Sequence, residues 1–226
     1  MKTRYYIVAL VCFSLVLAVF AICMRTSFYT LSWEEFEDSV TVAYLTDELG
    51  EQTLDLMEES LEEEPYILSV ECIGEPELYY SNVVQKVRVI HSYAGDCDVE
   101  EELYILQVNA IYEHNDDMVL KKGMLSSANM SFTNVFEVGE NYLVFLNHRE
   151  DHYYRDMVVL EKSDEYLVKP FFSYGEVSSQ AVDPSRGTGS MSIRYTKVYE
   201  NEYFMSEKSL NHMLAIKEAM LAKYPL

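Results

Sequence analysis

The chain has 226 residues, of which 49% are hydrophobic and 13% aromatic. That composition excludes an intrinsically disordered tail and supplies enough apolar side chains for a folded domain. Acidic residues number 38 against 17 basic ones, which gives a formal net charge of −21. Because binding to nucleic acids and anionic lipid headgroups depends on Lys and Arg, this balance excludes nucleic acid as a partner and disfavours anionic surfaces.

Residues 5–24 form a run of twenty residues without a charge. As a helix the run spans about 30 Å, the thickness of a bilayer's hydrocarbon core, and it therefore predicts a transmembrane segment. The end of the run, Ala-Ile-Cys-Met-Arg at residues 21–25, contains no convincing small-residue cleavage site. The pattern favours an uncleaved signal anchor, with a cleaved secretory signal as the alternative.

Charges beside the run predict its orientation. Lys2 and Arg4 precede it, whereas Arg25 alone follows closely. Since positive flanks stay in the cytoplasm, residues 1–4 are expected to be cytoplasmic and the chain after residue 24 to lie outside. The chain is thus predicted to be a single-pass protein of the cell membrane with an extracytoplasmic domain.

Residues 25–64 are predicted to form an acidic helical segment. Residues 34–64 hold 13 acidic side chains and neither Lys nor Arg. A capping box of Ser and Glu at residues 32–35 begins a short helix, and a second, longer helix ends before Pro65.

The second helix is predicted to be amphipathic, since Leu54, Met57 and Leu61 recur on one face. Its glutamates take the opposite face, where a solvated surface is the plain interpretation. The alternative is a docking surface for a basic protein or peptide. The candidate residues of that surface are Glu58, Glu59, Glu62, Glu63 and Glu64.

Residues 65–205 favour β-strands and predict a β-barrel-like extracytoplasmic domain. The predicted strands are residues 66–73, 83–93, 103–108, 142–146 and 193–199, and a hairpin of 157–160 with 166–168. Residues 206–226 predict a helix packed on the domain and capped by Ser206 or Ser209. The expected fold class is mainly β, in the α+β sense, with flanking helices and a preceding transmembrane helix.

Three stretches carry a family resemblance: residues 87–96 (VRVIHSYAGD), 103–108 (LYILQV) and 136–146 (FEVGENYLVFL). They resemble small extracytoplasmic bacterial β-barrel domains of the oligonucleotide/oligosaccharide-binding (OB) type, in the variant shared with netrin-like domains and tissue inhibitors of metalloproteinases. The resemblance covers roughly residues 64–170 and implies an OB-like barrel. Inhibitory activity does not carry over, because those inhibitors act through a freed N-terminal Cys and here that end continues into an acidic helix.

Cys72 and Cys97 lie in the outer domain, where disulfides are permitted. If residues 75–80 turn the chain, Cys72 pairs with residue 82 or 83, which is about 45 Å of extended chain from Cys97. A disulfide needs Cα atoms within about 7 Å. Two free thiols are therefore expected, and a bridge between them would overturn this hairpin.

His148 and His152 stand four residues apart, with Glu150 and Asp151 between them. On a helix this spacing suits Zn²⁺, and the four groups would then serve a metal-dependent hydrolase. The segment follows a predicted strand, however, so a solvated hairpin tip is the plain interpretation. The zinc hydrolase is the first alternative function.

Carboxylates also crowd a predicted turn at residues 96–102, where Asp96, Asp98 and Glu100 are candidate ligands. Hard cations such as Ca²⁺ prefer several oxygen ligands from a flexible loop. The loop lacks the glycine and the ligand spacing of an EF-hand, and ordinary surface charge is the plain interpretation. A Ca²⁺-stabilised structural domain is the second alternative function.

The sequence contains no nucleophile elbow, phosphate-binding loop or metalloprotease motif. It therefore favours a non-enzymatic interaction module without a cofactor, held near the membrane by its anchor. The acidic helices are its expected contact surface, and a basic protein or peptide is its expected partner.

Overall fold

The structure is a computed structural model of the chain. It describes residues 13–20, 33–34, 37, 40–43, 45–79, 82–108, 111–113, 126–128, 132, 135–155, 157–182, 192–195, 198, 201–204 and 206–226. This part of the molecule is mainly β, with flanking helices α1 (Asp47–Ser60) and α2 (Glu207–Lys223). A 3₁₀ turn, Leu61–Glu63, continues α1.

The strands of the described part are short except for one near the middle of the main sheet. In chain order they are β1 (Val40–Ala43), β2 (Tyr66–Cys72), β3 (Glu77–Tyr79), β4 (Asn82–Ala94), β5 (Glu102–Val108), β6 (Ile111–Glu113), β7 (Ser126–Ala128), β8 (Asn141–Leu146), β9 (His148–Tyr154), β10 (Met157–Glu161), β11 (Phe171–Ser173), β12 (Ser178–Ala181), β13 (Ser192–Arg194) and β14 (Asn201–Phe204).

The main sheet has the strand order β11-β8-β2-β4-β5-β10-β9, with β3 paired to β4. Neighbouring strands run antiparallel except β5 and β10, which are parallel, so the sheet is mixed. A smaller sheet has the order β13-β1-β7-β6, and β12 pairs with β14. Strand β1 lies within residues 25–64, for which the sequence predicts helices. Val40 and Val42, two residues apart, are fully buried there, as one buried strand face requires.

Strand β4 shows the predicted alternation from Gln85 to Ile90, whereas at its start Val83, Val84 and Gln85 are all fully buried beside a register shift. Three valines of the predicted buried face are fully buried, namely Val83, Val87 and Val89. Lys86 and Arg88 stay partly exposed and face acidic residues of the neighbouring strands. Lys86 pairs with Glu102 of β5, and Arg88 pairs with Glu71 of β2. These cross-strand ion pairs add to the specificity of the strand register.

Helices α1 and α2 cover one face of the main sheet. The apolar side of α1 is buried as predicted, with Leu54, Met57 and Leu61 each at 1% exposure or less. They pack in one cluster with residues from α2, β2 and β8, namely Leu210, Met213, Ile216, Ile67, Leu143 and Phe145. Burial stabilises by about 1.5–3 kcal/mol per large apolar side chain, so this cluster holds both helices on the sheet.

The other face of the main sheet encloses a second apolar cluster. Its members come from strands across the whole sheet, and include Leu68, Val70, Val87, Leu103, Ile105, Val144, Leu160 and Phe171. Because strands distant in the order contribute to one cluster, the sheet is strongly curved. It is not the closed barrel that the sequence predicts, since the end strands β11 and β9 do not pair with each other in the described residues.

The hairpin predicted between residues 157–160 and 166–168 is wrong. Strand β10 forms its hairpin with β9, across a turn in which Arg155 has a positive φ of 53°. The segment from His148 to His152, predicted as a hairpin tip, belongs to β9. Alternating apolar residues are absent from β9 because it is an edge strand of the described sheet, and charged side chains are typical of such edges.

Cys72 and Cys97 are free, as expected, and both are buried. The register differs from the predicted hairpin, because Cys72 lies opposite Val87. Strand β3 explains this difference, since it folds back on the first residues of β4 and leaves β2 to pair with a later part of that strand. Burial raises the pKa of both thiols to about 11, so they stay protonated at neutral pH.

None of the helices in the described residues is long and apolar enough to cross a membrane. Of the predicted segment 5–24, the structure describes residues 13–20, which are helical. The rest of that segment lies outside the described residues, as do both ends of the capping box at residues 32–35.

Two glycines with positive φ provide a matched test of the turn that ends β4. Gly95 (φ +99°) and Gly139 (φ +91°) both adopt a conformation that disfavours a side chain, but only at Gly95 would a Cβ overlap the ring of Tyr66. We expect Gly139→Ala to lower the free energy of unfolding by about 1–2 kcal/mol through backbone strain alone. Gly95→Ala should cost a further amount of about 1–3 kcal/mol through overpacking. Urea denaturation of both variants measures the difference, and equal losses would show that the Tyr66 contact does not constrain this turn.

Candidate functional site

The sequence predicts an exposed surface for all five candidate glutamates, and four of them are exposed, on α1 and the 3₁₀ turn that follows it. We call these four residues the acidic face: Glu58, Glu59, Glu62 and Glu63. Two of them contact α2, since Glu58 lies 3.4 Å from Nε2 of His212 and Glu62 pairs with Lys223. Glu59 and Glu63 form no ion pair with any residue that the structure describes.

The acidic face borders a cavity of about 390 Å³ at the C-terminal end of α1. Three chain segments form its walls: the end of α1 with its 3₁₀ turn, the connection from β8 to β9, and the turn after β10. The lining residues are Ser60, Glu63, Glu64, Asn147, His148, Ser163, Asp164, Glu165 and Tyr166. All of them are polar and four carry carboxylates, so the cavity suits a cationic ligand that accepts and donates hydrogen bonds.

Glu64, the fifth candidate glutamate, differs from the acidic face because it is only 7% exposed. Its Oε2 accepts a hydrogen bond of 3.0 Å from Nδ2 of Asn147, which is a neutral donor. No cation of the described residues lies within salt-bridge distance of this carboxylate. The cavity therefore contains a buried acid that lacks a counter-charge within the described part of the chain.

The wall opposite α1 is shaped by a lysine. Nζ of Lys162 donates to the main-chain carbonyl oxygens of Ser163 (2.9 Å) and Tyr166 (2.6 Å), and burial lowers the pKa of this lysine. The phenol of Tyr166 lies 2.9 Å from the hydroxyl of Ser60 and so joins this wall to α1. Burial raises the pKa of Tyr166 to about 12, which keeps the phenol neutral at physiological pH.

The zinc-site candidates are separated along β9. His148 lines the cavity, whereas Asp151 pairs with Arg149 at 3.1 Å. Four residues of extended chain place the Cα atoms of His148 and His152 about 13 Å apart. Glu150 is exposed, and the side chain of His152 lies outside the described residues. Within the described part of the chain no three Asp, Glu, His or Cys side chains are grouped as a metal ion requires, and the zinc site stays a prediction.

The calcium-site candidates face arginines. Asp96 lies 3.5 Å from Arg149, and Glu100 lies 3.8 Å from Arg88. The main-chain N–H of Asp98 donates to a carboxylate within the same turn. Guanidinium groups thus supply positive charge to two of these carboxylates, and a Ca²⁺ site at this turn stays a prediction.

His212 is a site residue for which the sequence indicates no partner. Its Nδ1 lies 3.6 Å from Glu51 and its Nε2 lies 3.4 Å from Glu58, two turns apart on α1. Lys208 and Ser209 also contact Glu51, and their hydrogen bonds lower the pKa of that carboxyl. The sequence feature that could have indicated these contacts is the seven-residue spacing of Glu51 and Glu58, because it places both carboxylates on the same face of a helix.

Comparison with known proteins identifies no relative. No family model matches the chain, and neither the curated proteins nor the solved structures include a significant match. The charge and geometry of the acidic face and the cavity are therefore the basis for the function.

Lys169, three residues after the cavity-lining Tyr166, is 3% exposed. Burial, with a smaller contribution from the charge of Lys162, lowers the pKa of Lys169 to about 7. An unfolded chain holds this proton up to a pH of about 10, whereas the folded chain releases it near neutrality. Between these values the unfolded state binds more protons, and stability therefore rises with pH.

We expect the free energy of unfolding of the wild-type protein to increase, relative to a Lys169→Met variant, between pH 7 and pH 9. The limiting slope is about 1.4 kcal/mol per pH unit. Urea denaturation of both proteins across this range measures it, and the variant controls for every other group that titrates. Parallel curves would show that Lys169 keeps its proton in the folded chain.

Proposed function

We propose that this chain is a membrane-anchored, extracytoplasmic interaction module that binds a basic protein or peptide through the acidic face and the adjoining cavity. The observation that carries the proposal is the negative charge of the segment that comprises α1 and the 3₁₀ turn after it. Residues 47–64 contain nine acidic side chains and no Lys or Arg. Glu59 and Glu63 are exposed without an ion pair to any described residue, beside a cavity with four carboxylates.

The distribution of cations elsewhere supports this choice of surface. Arginines and lysines of the sheet and of α2 contact carboxylates of their own chain, as Arg88, Arg149, Arg155 and Lys217 do. The acidic face is only partly neutralised in this way, through Glu62 and Lys223. A cationic partner would therefore find its strongest attraction there, and complementary charge raises both specificity and the rate of association.

The membrane anchor at residues 5–24 is part of the same proposal, with residues 1–4 in the cytoplasm and the β-rich domain outside. The helix at residues 13–20 supports it. Its large apolar side chains are exposed by 51–65%, and comprise Phe13, Leu15, Val16, Leu17, Val19 and Phe20. A bilayer would bury such a surface, whereas water would not.

The OB-like form of the domain is likewise a proposal. The curvature of the main sheet around the cluster that contains Leu68 and Phe171 supports it. Long antiparallel pairings of β2 with β4 and of β4 with β5 are also typical of such barrels.

Neutralising the acidic face should weaken binding of a basic peptide. We expect a Glu59→Gln/Glu63→Gln variant to bind fluorescent hexalysine about threefold to tenfold less tightly than the wild type, because each exposed ion pair contributes little alone. Fluorescence anisotropy with the full-length protein in a neutral detergent measures the affinity. The matched control is Glu137→Gln/Glu176→Gln, which changes the net charge equally at exposed positions away from the acidic face.

Salt gives the second arm of this experiment. Binding to the wild type should weaken as the salt concentration rises, since surface attraction is screened. If the control variant loses as much affinity as the variant of the acidic face, or if binding is indifferent to salt, this surface is not the electrostatic contact.

A further inference from the structure

Three charged side chains of the described residues are at least nine-tenths buried: Glu64, Lys169 and Glu202. Burying a charge is costly unless an opposite charge accompanies it. Glu202 follows this rule, because Nζ of Lys217 lies 2.6 Å from its Oε1. Lys169 has a pKa lowered by burial to about 7 and can lose its charge. Glu64 forms no salt bridge with any described residue, and its Oε2 accepts a hydrogen bond from the neutral amide of Asn147.

Lys162 is a candidate counter-charge for Glu64, but its ammonium group binds other acceptors. Lys162 is attracted to Glu64 through space, but its ammonium donates to the carbonyl oxygens of Ser163 and Tyr166. These two contacts hold the turn after β10 and leave the carboxylate of Glu64 facing the cavity. A cation from solvent can reach the carboxylate of Glu64 through this cavity.

The cavity also has a size and a lining that fit such a charge. Its volume of about 390 Å³ lies at the small end of the range for ligand sites. Carboxylates of Glu63, Asp164 and Glu165 are exposed at its rim, while hydroxyls of Ser60 and Tyr166 and the amide of Asn147 lie in its walls. This arrangement suits the end of one long side chain with an ammonium or a guanidinium group.

We propose that the cavity binds a single Lys or Arg side chain of the partner, with Glu64 as its buried counter-ion. This inference rests on the proposed function and specifies its contact. The exposed glutamates attract a basic segment over a distance, and Glu64 fixes one residue of that segment. Because the pair with Glu64 is shielded from water and salt, it contributes more to affinity than any exposed pair of the acidic face.

Single substitutions that change the net charge equally separate the cavity from the surface. We expect Glu64→Gln to weaken hexalysine binding by about tenfold or more, because a buried charge loses its pair. Glu59→Gln should weaken it by less than about fivefold, as an exposed pair does. Glu176→Gln, at an exposed site away from the cavity, should have no more than the effect of net charge. Gln at position 64 still accepts the hydrogen bond from Asn147, and thermal melting checks that each variant is folded.

A second measurement needs no substitution. The wild-type protein, labelled with ¹⁵N at asparagine, is titrated with N-acetyl-lysine methylamide or N-acetyl-arginine methylamide, followed by NMR. The side-chain amide of Asn147 should shift with one or both ligands, which also distinguishes ammonium from guanidinium. The matched neutral ligands, the homocitrulline and citrulline derivatives, should leave that signal unchanged.

The outcomes distinguish the two proposals. Hexalysine binding with equal effects of Glu64→Gln and Glu59→Gln, and an unchanged Asn147 signal, would overturn the cavity proposal while the acidic face stands. A wild-type protein that binds hexalysine no better than hexaglutamate would overturn the proposed function itself. An Asn147 shift that the neutral ligands reproduce would also contradict the cavity proposal, because charge would then play no part.

Discussion

Shortage of positive charge is the constraint on which the rest of this structure depends. The chain has 17 basic residues for 38 acidic ones, so fewer than half of its carboxylates can each have a basic residue of their own. Several of the described cations form ion pairs that join strands or accompany a buried carboxylate. Arg88 joins β2, β4 and the turn before β5, Arg149 gathers three carboxylates at the edge of the sheet, and Lys217 pairs with the buried Glu202. Negative charge that remains after these pairings accumulates along α1 and around the cavity at its end, and this excess gives the surface its capacity to bind a cation.

Much of the architecture follows from apolar periodicity in the sequence. The buried side of α1 and part of β4 are predicted correctly because each buries a face with a regular period. Strand β8 is predicted correctly because its continuous apolar run is typical of a strand buried on both faces. Strand β9 is missed for the opposite reason, since HREDHYY has no apolar face and gains its strand structure from pairing with β10. The wrong partner for β10 has the same cause, because without a recognised strand at residues 148–154 the apolar residues 166–168 were paired with β10 instead.

The candidate site is predictable only in part, and the reason is topological. Glu63 and Glu64 stand out in the sequence as the end of an acidic helix, and His148 stands out as a histidine beside a strand. That these residues meet around one cavity depends on the pairing of β2 with β8, which brings the start of β2 and the end of β8 together. The burial of Glu64 likewise depends on the direction in which the 3₁₀ turn leaves α1. Charge patterns identify the acidic segment, whereas the packing of distant segments determines which carboxylate is enclosed.

Site-specific photo-cross-linking tests the central claim most directly, because it asks which surface of the intact, full-length protein touches a partner in the cells that make it. A photoreactive amino acid is placed singly at positions 59 and 63 on the acidic face, and at positions 137 and 176 as exposed controls. Mass spectrometry then identifies the partner segment that each position captures. The account predicts capture from positions 59 and 63 of segments rich in Lys or Arg, with little capture from the controls. Capture confined to positions 137 and 176, or captured segments without basic residues, would contradict it.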